Sequence, residues 1–296
     1  MTLGNVGMRK PDSVAVAVPV AVVALALLLG SSAGAQLGVA EQKCIDEYNN
    51  RVRLVGQQAG KDYGKCIRNA GKGSELDPDH CVNDDIPGKI AGKTAKLVAL
   101  YADGKCTGLE PIQQGATVGS DAAIDATHKL VRDLFGNPIG GVVNPGKDEA
   151  KCQGKAHQRA QQLFTENLKE FRKCKQDGME VGAVMNSVNL ESICMTPAIP
   201  DPSGKIAKKA GKLIEDVTSV CAGLFFGQTF PGLLQTPHPG VCLSAVLNDS
   251  APGLADCIEE RVNCRVCDAL NEADGTNVDC DLFDNGVIEG SCSDDL

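Results

Sequence analysis

Apolar residues recur every three or four positions over two long stretches of the chain, the spacing of one face of an α-helix. Both stretches follow the same steps of 4, 4, 3, 4, 4 and 3 residues. The stripes are Cys44, Tyr48, Val52, Val55, Ala59, Tyr63, Cys66 and Cys152, Ala156, Ala160, Leu163, Asn167, Phe171, Cys174. Two long amphipathic helices are predicted. The first contains Gly56, Gly60 and Gly64, each of which costs ~1 kcal/mol relative to Ala in a helix.

A second, shorter stripe follows each long one. Residues 88–97 (GKIAGKTAKL) match residues 204–213 (GKIAKKAGKL). These segments predict helices with the apolar faces Ile90, Thr94, Leu97, Tyr101 and Ile206, Ala210, Leu213, Val217. The cysteines repeat in the same order, since Cys44, Cys66, Cys81 and Cys106 correspond to Cys152, Cys174, Cys194 and Cys221. So many ordered matches indicate an internal duplication.

Helix length selects the disulfide pairing within each repeat. A helix from Cys44 to Cys66 separates these residues by ~33 Å, whereas bridged Cα atoms lie within ~7 Å. Pairing Cys44 with Cys81 and Cys66 with Cys106 requires parallel helices, whose short connection would retrace the whole helix. An antiparallel hairpin remains, with Cys66–Cys81 at the turn and Cys44–Cys106 at the open end. The second repeat then pairs Cys174 with Cys194 and Cys152 with Cys221.

The rest of the chain shows no run of alternating strand-like positions. Ser120 is predicted to cap a helix that runs to Phe135, and residues 136–146 (GNPIGGVVNPG) are predicted to be a linker. Loops are expected over 197–202 and 230–239, because these segments are also rich in Pro or Gly. The predicted fold class is all-α, with two disulfide-clasped antiparallel helical hairpin repeats followed by a Cys-rich, loop-rich C-terminal module.

The C-terminal 55 residues contain six of the 14 Cys. A helix over 253–271 is predicted there. Spacing does not select a pairing among Cys242, Cys257, Cys264, Cys267, Cys280 and Cys292. The segments CRVCDALNEADG and DCDLFDNG resemble the ends of uncharacterised Cys-rich exported proteins of environmental bacteria. That resemblance covers about a fifth of the chain, and it implies export but no particular chemistry.

The N terminus has the pattern of a secretory signal. Arg9 and Lys10 precede an apolar run over 14–29, and Ala33-Gly34-Ala35 forms a small-residue cleavage site after Ala35. The run has 16 residues, short for a membrane span of ~20; an uncleaved anchor is the alternative. An even number of 14 Cys agrees with export and predicts up to seven disulfides. We therefore expect a secreted or periplasmic protein with no membrane span after cleavage.

These boundaries divide the chain into four parts. They are a signal peptide (1–35), the first hairpin repeat with its following helix (36–143), the second repeat (147–241) and an acidic Cys-rich module (242–296).

Charge is distributed unevenly between the parts. Residues 36–241 carry 25 Lys and Arg against 24 Asp and Glu, whereas residues 242–296 carry 2 against 13. Nucleic acid is not expected as a partner, because its binding needs a concentrated basic face. The second helix of each repeat is nevertheless basic. These lysines predict either a solvated face or a contact surface for the acidic tail of the same or a neighbouring molecule: Lys89, Lys93, Lys96, Lys205, Lys208, Lys209 and Lys212.

The acidic tail is a candidate calcium site, because clustered carboxylate and amide oxygens suit a hard cation. The candidate ligands are Asp274, Asn277, Asp279, Asp281, Asp284, Asn285 and Glu289. The match to the helix-loop-helix calcium pattern is incomplete, since Leu282 replaces the turn glycine and Ile288 the last glutamate. The alternative is a solvated acidic loop held by Cys280 and Cys292.

Catalytic motifs are missing or incomplete. Cys264-Arg-Val-Cys267 lacks the following His of haem attachment and a second pair for zinc, so disulfides to different partners are favoured. The four His residues are scattered and form no metal motif. We therefore expect a secreted, disulfide-stabilised structural or binding protein without catalytic machinery. The alternatives are a carrier of lipid or another small apolar ligand, with the apolar stretch 224–234 around its cavity, and a calcium-binding interaction module.

Overall fold

A computed structural model describes residues 37–84, 88–106, 112–139, 146–235 and 250–284, together with residues 242, 248, 287 and 292. These ranges contain helices and no strand, which confirms the predicted all-α class. The predicted signal sequence over 1–35 lies outside the described residues, as do residues 140–145 of the predicted linker and 236–239 of the last predicted loop. No helix within the described ranges combines the length and the apolarity that a membrane crossing requires.

In chain order the helices are α1 (Val39–Ala70), α2 (Pro78–Asn83), α3 (Lys89–Ala102), α4 (Ala116–Phe135), α5 (Lys147–Glu180), α6 (Ser187–Cys194), α7 (Lys205–Val220), α8 (Phe226–Thr229), α9 (Gly232–Gln235), α10 (Ala251–Asp274) and α11 (Cys280–Asp284). The two long stripes are α1 and α5, and each helix extends beyond both of its cysteines.

The first hairpin is formed by α1, α2 and α3, with α1 packed against the other two helices. Its open end is closed by Cys44–Cys106, whose Cα atoms are 5.2 Å apart. Its turn is closed by Cys66–Cys81, at 5.7 Å. The pairing predicted from helix length is therefore confirmed. The short helix α2, which carries Cys81, is too brief to show a stripe in the sequence.

The second hairpin, formed by α5, α6 and α7, has the same disulfide arrangement. Cys152–Cys221 closes its open end and Cys174–Cys194 its turn, with Cα separations of 5.0 and 5.7 Å. The matching GKIA segments also begin with a glycine in the same backbone conformation. Gly88 and Gly204 precede α3 and α7 with φ of 64° and 65°, a left-handed conformation that favours glycine. The two segments therefore share a backbone requirement as well as a sequence.

The two hairpins meet where α1 and α5 run antiparallel. Gly56 of α1 faces Phe164 of α5, Gly60 faces Gln161, and nearer the end of α1 Gly71 faces Ala150. A Cβ atom added to Gly60 would lie only 1.9 Å from Cδ of Gln161. The glycines that weaken α1 as an isolated helix are therefore positions at which side chains of α5 approach its backbone closely.

The helix between the hairpins is longer than the sequence predicts. α4 begins at Ala116, after Gly115, rather than at a cap formed by Ser120. Ser120 lies inside the helix, buried, and its hydroxyl donates to the carbonyl of Thr117. Because a serine hydroxyl can also bond the preceding turn of a helix, Ser120 did not mark the start. The predicted end at Phe135 is confirmed.

The C-terminal helix α10 packs against α4, α5 and α7. It spans 251–274, which is longer than the predicted 253–271, and it ends at Gly275 in the left-handed conformation. The six tail cysteines pair as Cys242–Cys257, Cys264–Cys292 and Cys267–Cys280. All 14 cysteines of the chain are therefore in disulfides. The described part of the tail lies in the same compact unit as the hairpins.

Candidate functional site

A basic groove lies where the end of α1 faces the start of α5. Its volume is about 870 Å³, within the range of small-molecule sites. One wall is formed by Arg68 in the last turn of α1 and by Lys72 just after that helix, and the other by Lys147, Lys151 and Lys155 of α5. Gly71, Gly73, Gly146, Ala150 and Gly154 form the floor between them. Five cationic side chains therefore surround one concave surface, hereafter the basic groove.

Helical spacing aligns these cations. Lys147, Lys151 and Lys155 are four residues apart, so successive side chains are displaced by ~6 Å along one face of α5. Arg68 and Lys72 are also four residues apart, but Lys72 lies in the turn that follows α1. The two helices can lie this close because the intervening residues are small. A Cβ atom on Gly154 would lie 3.2 Å from Cγ of Arg68.

The positive charge of the basic groove is largely uncompensated. No carboxylate lines it among the described residues, although the carboxylate of Glu149, in the first turn of α5, lies next to the lining residue Gly146. Lys155 lies 3.8 Å from Asp216. The other four cations have no carboxylate partner in the described part of the chain. Such a surface attracts anions, and the attraction weakens as salt screens it.

A second cavity of about 310 Å³ adjoins the basic groove. Arg68 and Gln158 line both. The remainder of the second cavity is rich in amide side chains, and we call it the amide cavity. Its uncharged polar lining comprises Gln57, Gln158, Gln161, Gln162, Thr165 and His157. Lys61, Lys209 and Glu166 are also present, and the carboxylate of Glu166 lies 2.9 Å from Lys169.

Within the described part of the chain, two buried polar atoms of the amide cavity residues have no hydrogen-bond partner, Nε2 of His157 and Oε1 of Gln161. Nε2 of Gln161 does donate to the carbonyl of Gly56, at 3.3 Å. Burial, assisted by the Arg68 guanidinium, lowers the pKa of His157 to about 4. His157 is therefore neutral near pH 7, and an unbonded buried polar atom costs ~1–3 kcal/mol.

The candidate calcium ligands are dispersed. Asp274 is buried at the end of α10, where its carboxylate accepts from Lys175 at 2.6 Å and from Asn49 at 3.0 Å. Its role is thus an internal ion pair rather than a place in the acidic loop. Asp279 and Asp281 accept backbone hydrogen bonds from Asp281 and Cys292. The backbone of Asn277 donates to Glu191.

Among the described residues no group of three or more metal-binding side chains is assembled. Asn285, Glu289 and the side chain of Asp284 lie outside the described residues. Calcium binding by the loop stays a prediction.

The predicted structural role of the CxxC cysteines is supported by their pairing. Cys264 is bonded to Cys292 and Cys267 to Cys280, so each half of the motif has a different partner. The histidines His80, His128 and His157 lie on three different helices, and His238 is outside the described residues. The pKa of His128 is lowered by burial and by Arg132.

The basic helices α3 and α7 have mostly exposed lysines. Lys89, Lys96, Lys208 and Lys212 are exposed, and Lys93 and Lys209 are half-buried. Lys205 lies 3.4 Å from Glu170. These side chains lie along two helix faces rather than around a cavity, except Lys209, which reaches the amide cavity. Their role in self-association stays a prediction.

The apolar stretch suggested for a lipid cavity lies mainly in the protein core. Phe226, Phe230 and Leu233 are buried, and Phe230 packs against Phe135. Leu224 is half-buried and Phe225 is exposed, while the side chain of Leu234 is outside the described residues. The described part of this stretch therefore contributes to packing between helices.

Comparisons with protein-family models, with curated proteins and with solved structures found no match to the chain. The function is therefore inferred from the residues and their arrangement.

The basic groove was missed in the sequence, although half of its signal is visible there. Lys147, Lys151 and Lys155 form a row with helical spacing. The near-neutral charge of residues 36–241 conceals this row, because an overall balance does not show how charges are distributed in space. Arg68 and Lys72 lie about 80 positions earlier, and only the pairing of α1 with α5 brings the two groups together.

Proposed function

We propose that this protein is an exported, disulfide-stabilised binding protein that holds a multivalent anion in the basic groove. The observation that carries the proposal is the set of five cations around one concave surface, with no carboxylate in the described lining. Negative charges on an incoming ligand would supply the carboxylate partners that four of these five side chains lack among the described residues.

The scaffold favours binding because it holds the cations in place before the ligand arrives. Arg68 lies two residues after Cys66, and Lys151 immediately precedes Cys152. Both cysteines are in disulfides that close a hairpin. Restricting the motion of groups that contact a ligand lowers the entropy lost on binding. The disulfides therefore serve the groove as well as the stability of the helices.

Export is supported by the cysteines and by the N-terminal pattern. Seven disulfides with no free thiol are typical of an oxidising compartment, and the sequence over 1–35 has the features of a secretory signal. We further propose that the two hairpins arose by duplication. The same disulfide order and the same left-handed glycine before α3 and α7 support that origin.

Calorimetric titration with inorganic tripolyphosphate tests the proposal on the full, disulfide-intact chain. We expect binding that weakens with added salt. The double substitution Lys147→Gln/Lys151→Gln is expected to weaken it at least ~10-fold, since a hydrogen bond to a charged group contributes ~1.5–3 kcal/mol.

Lys208→Gln/Lys212→Gln is the matched control, because these lysines are also four residues apart and exposed on a helix. The control is expected to bind as the unsubstituted protein does. Equal weakening by both double substitutions would show only a general effect of net charge and would contradict a specific groove. Absence of binding would also contradict the proposal.

A further inference from the structure

We infer that the basic groove and the amide cavity together bind one phosphorylated polyol, with phosphate groups in the groove and hydroxyl groups in the cavity. This inference rests on the proposed function, and it adds the chemical class of the ligand.

The two cavities form a continuous surface because they share a wall. Arg68 and Gln158 line both of them. On the groove side the neighbours are Lys72, Lys147 and Lys151. On the side of the amide cavity, the lining also includes the amide side chains of Gln57, Gln161 and Gln162. A ligand that contacts Arg68 from the basic groove therefore has its remaining atoms within reach of the amide cavity.

Amide side chains suit hydroxyl groups. An amide offers two N–H donors and a carbonyl acceptor, and a hydroxyl offers one donor and accepts through its lone pairs. Gln57 and Gln158 present such groups in the cavity lining. The buried Oε1 of Gln161 and Nε2 of His157 also have unused hydrogen-bonding capacity. A ligand with several hydroxyl groups would satisfy them, which a bare phosphate chain does not do.

The lining also disfavours ligands that bind by stacking. Neither cavity has a Trp, Tyr or Phe in its described lining, and His157 is the one aromatic ring there. Bases of single-stranded nucleic acid and the faces of uncharged sugars bind mainly on aromatic rings. Recognition in this site is therefore through charge and hydrogen bonds.

A charge-matched pair of probes tests the inference. Fructose 1,6-bisphosphate and hexane-1,6-diol bisphosphate both carry two phosphates on a six-carbon frame, but only the first also has free hydroxyl groups. In calorimetric titrations of the disulfide-intact chain we expect the sugar bisphosphate to bind at least ~10-fold more tightly. A difference of that size corresponds to ~1.4 kcal/mol, or about one net hydrogen bond.

Substitution in the amide cavity locates the preference. Gln57→Leu/Gln158→Leu is expected to reduce the ratio of the two affinities towards one by weakening the binding of the sugar bisphosphate. Gln176→Leu, in a distant turn of α5, is the control and should retain the preference. Circular dichroism and the melting temperature verify that each variant is folded. If the cavity double variant does not fold, the single substitution Gln158→Leu replaces it, since Gln158 is exposed.

The outcomes separate the inference from the proposed function. Equal affinity for both bisphosphates, together with tripolyphosphate binding that depends on Lys147 and Lys151, would overturn the inference and leave the anion-binding function intact. Failure of all three probes to bind would overturn both. Tighter binding of a thymidine oligonucleotide than of the sugar bisphosphate would overturn the inference in favour of nucleic acid.

Discussion

The two hairpins and the C-terminal tail are three segments that contain disulfides. Disulfides hold each segment together internally, whereas noncovalent contacts join the segments to one another and to α4, and we call these contacts the joints. All seven disulfides join residues of the same segment, two in each hairpin and three in the tail. The hairpins contact each other, and α10 contacts both hairpins and α4, through noncovalent packing. Reduction and local substitution should therefore affect different parts of the structure.

The joint made by α10 depends on buried charges. Arg265 of α10 donates from Nε and Nη2 to both oxygens of Asp133 of α4, at 2.7 and 2.8 Å. At the C-terminal end of α10, Asp274 pairs with Lys175 of α5. All four side chains are at most 1% exposed. Burial lowers the pKa of Lys175, and Asp274 opposes that shift.

The joint between the hairpins depends instead on small residues. Where α1 meets α5, glycines admit Gln161 and His157 against the backbone. An ion pair also joins α1 and α5, between Arg172 and Asp46, but it is only half-buried. The difference teaches that the same bundle uses two solutions, close approach of the backbones in one joint and fully buried charge pairs in the other. Three predictions test these joints.

The largest effect is expected at Asp133. Asp133→Ala removes a carboxylate that pairs with the buried guanidinium of Arg265, which also pairs with Asp268, and loss of one partner of a buried pair costs ~3–5 kcal/mol. Urea unfolding followed by circular dichroism measures the loss. Replacing both residues, as in Asp133→Leu/Arg265→Met, is expected to recover most of it. A single substitution that costs under ~1 kcal/mol would show that the pair does not hold α10 in place.

An effect of intermediate size is expected at His157 on acidification. Its pKa is about 4 in the folded protein against an ordinary value of 6.5, so the unfolded chain binds more protons between these values. Its contribution is intact above pH 6.5 and falls as the pH drops towards 4, by about 3 kcal/mol in total. His157→Gln is expected to lose correspondingly less stability between pH 7 and pH 4.

The control for acidification is His80→Gln, which changes an exposed histidine on α2. Urea unfolding at both pH values compares the two variants with the unsubstituted chain. The same pH dependence in all three proteins would contradict the assignment to His157.

The smallest effect is expected at Gly60, where the two hairpins are closest. Gly60→Ala forces Gln161 to move and is expected to cost ~1–3 kcal/mol through overpacking. Gly92→Ala on α3 is the matched control, because no atom lies within 4 Å of the added Cβ. That control should gain up to ~1 kcal/mol from helix propensity. Thermal unfolding distinguishes the two, and two shifts of the same sign would contradict the packing argument.

The sequence predicted well whatever depends on neighbouring residues. The stripe from Cys44 to Cys66 gave the long helix, and its length excluded two of three disulfide pairings. The same reasoning failed for Ser120, because its hydroxyl can bond within a helix as well as cap one. It also could not select a disulfide pairing for the six tail cysteines, because no helix length in that region excludes any of the possible pairings.

The candidate site illustrates the same limit. Asp274 was placed with the acidic loop because it is close to Asp279 in sequence, yet its carboxylate contacts Lys175 and Asn49. Contacts between residues about 100 and 225 positions apart leave no periodic signal in one sequence. The five cations of the basic groove are separated in the same way.

The fold class and both hairpin clasps follow from the chain alone, because helical periodicity and disulfide reach are local geometric constraints. The joints, the role of Asp274 and the basic groove were decided by how α1, α4, α5 and α10 pack. Packing brings together side chains whose attraction depends on distance in space and on the exclusion of water. Neither the distance between two side chains in space nor the exclusion of water around them can be derived from the order of the residues alone.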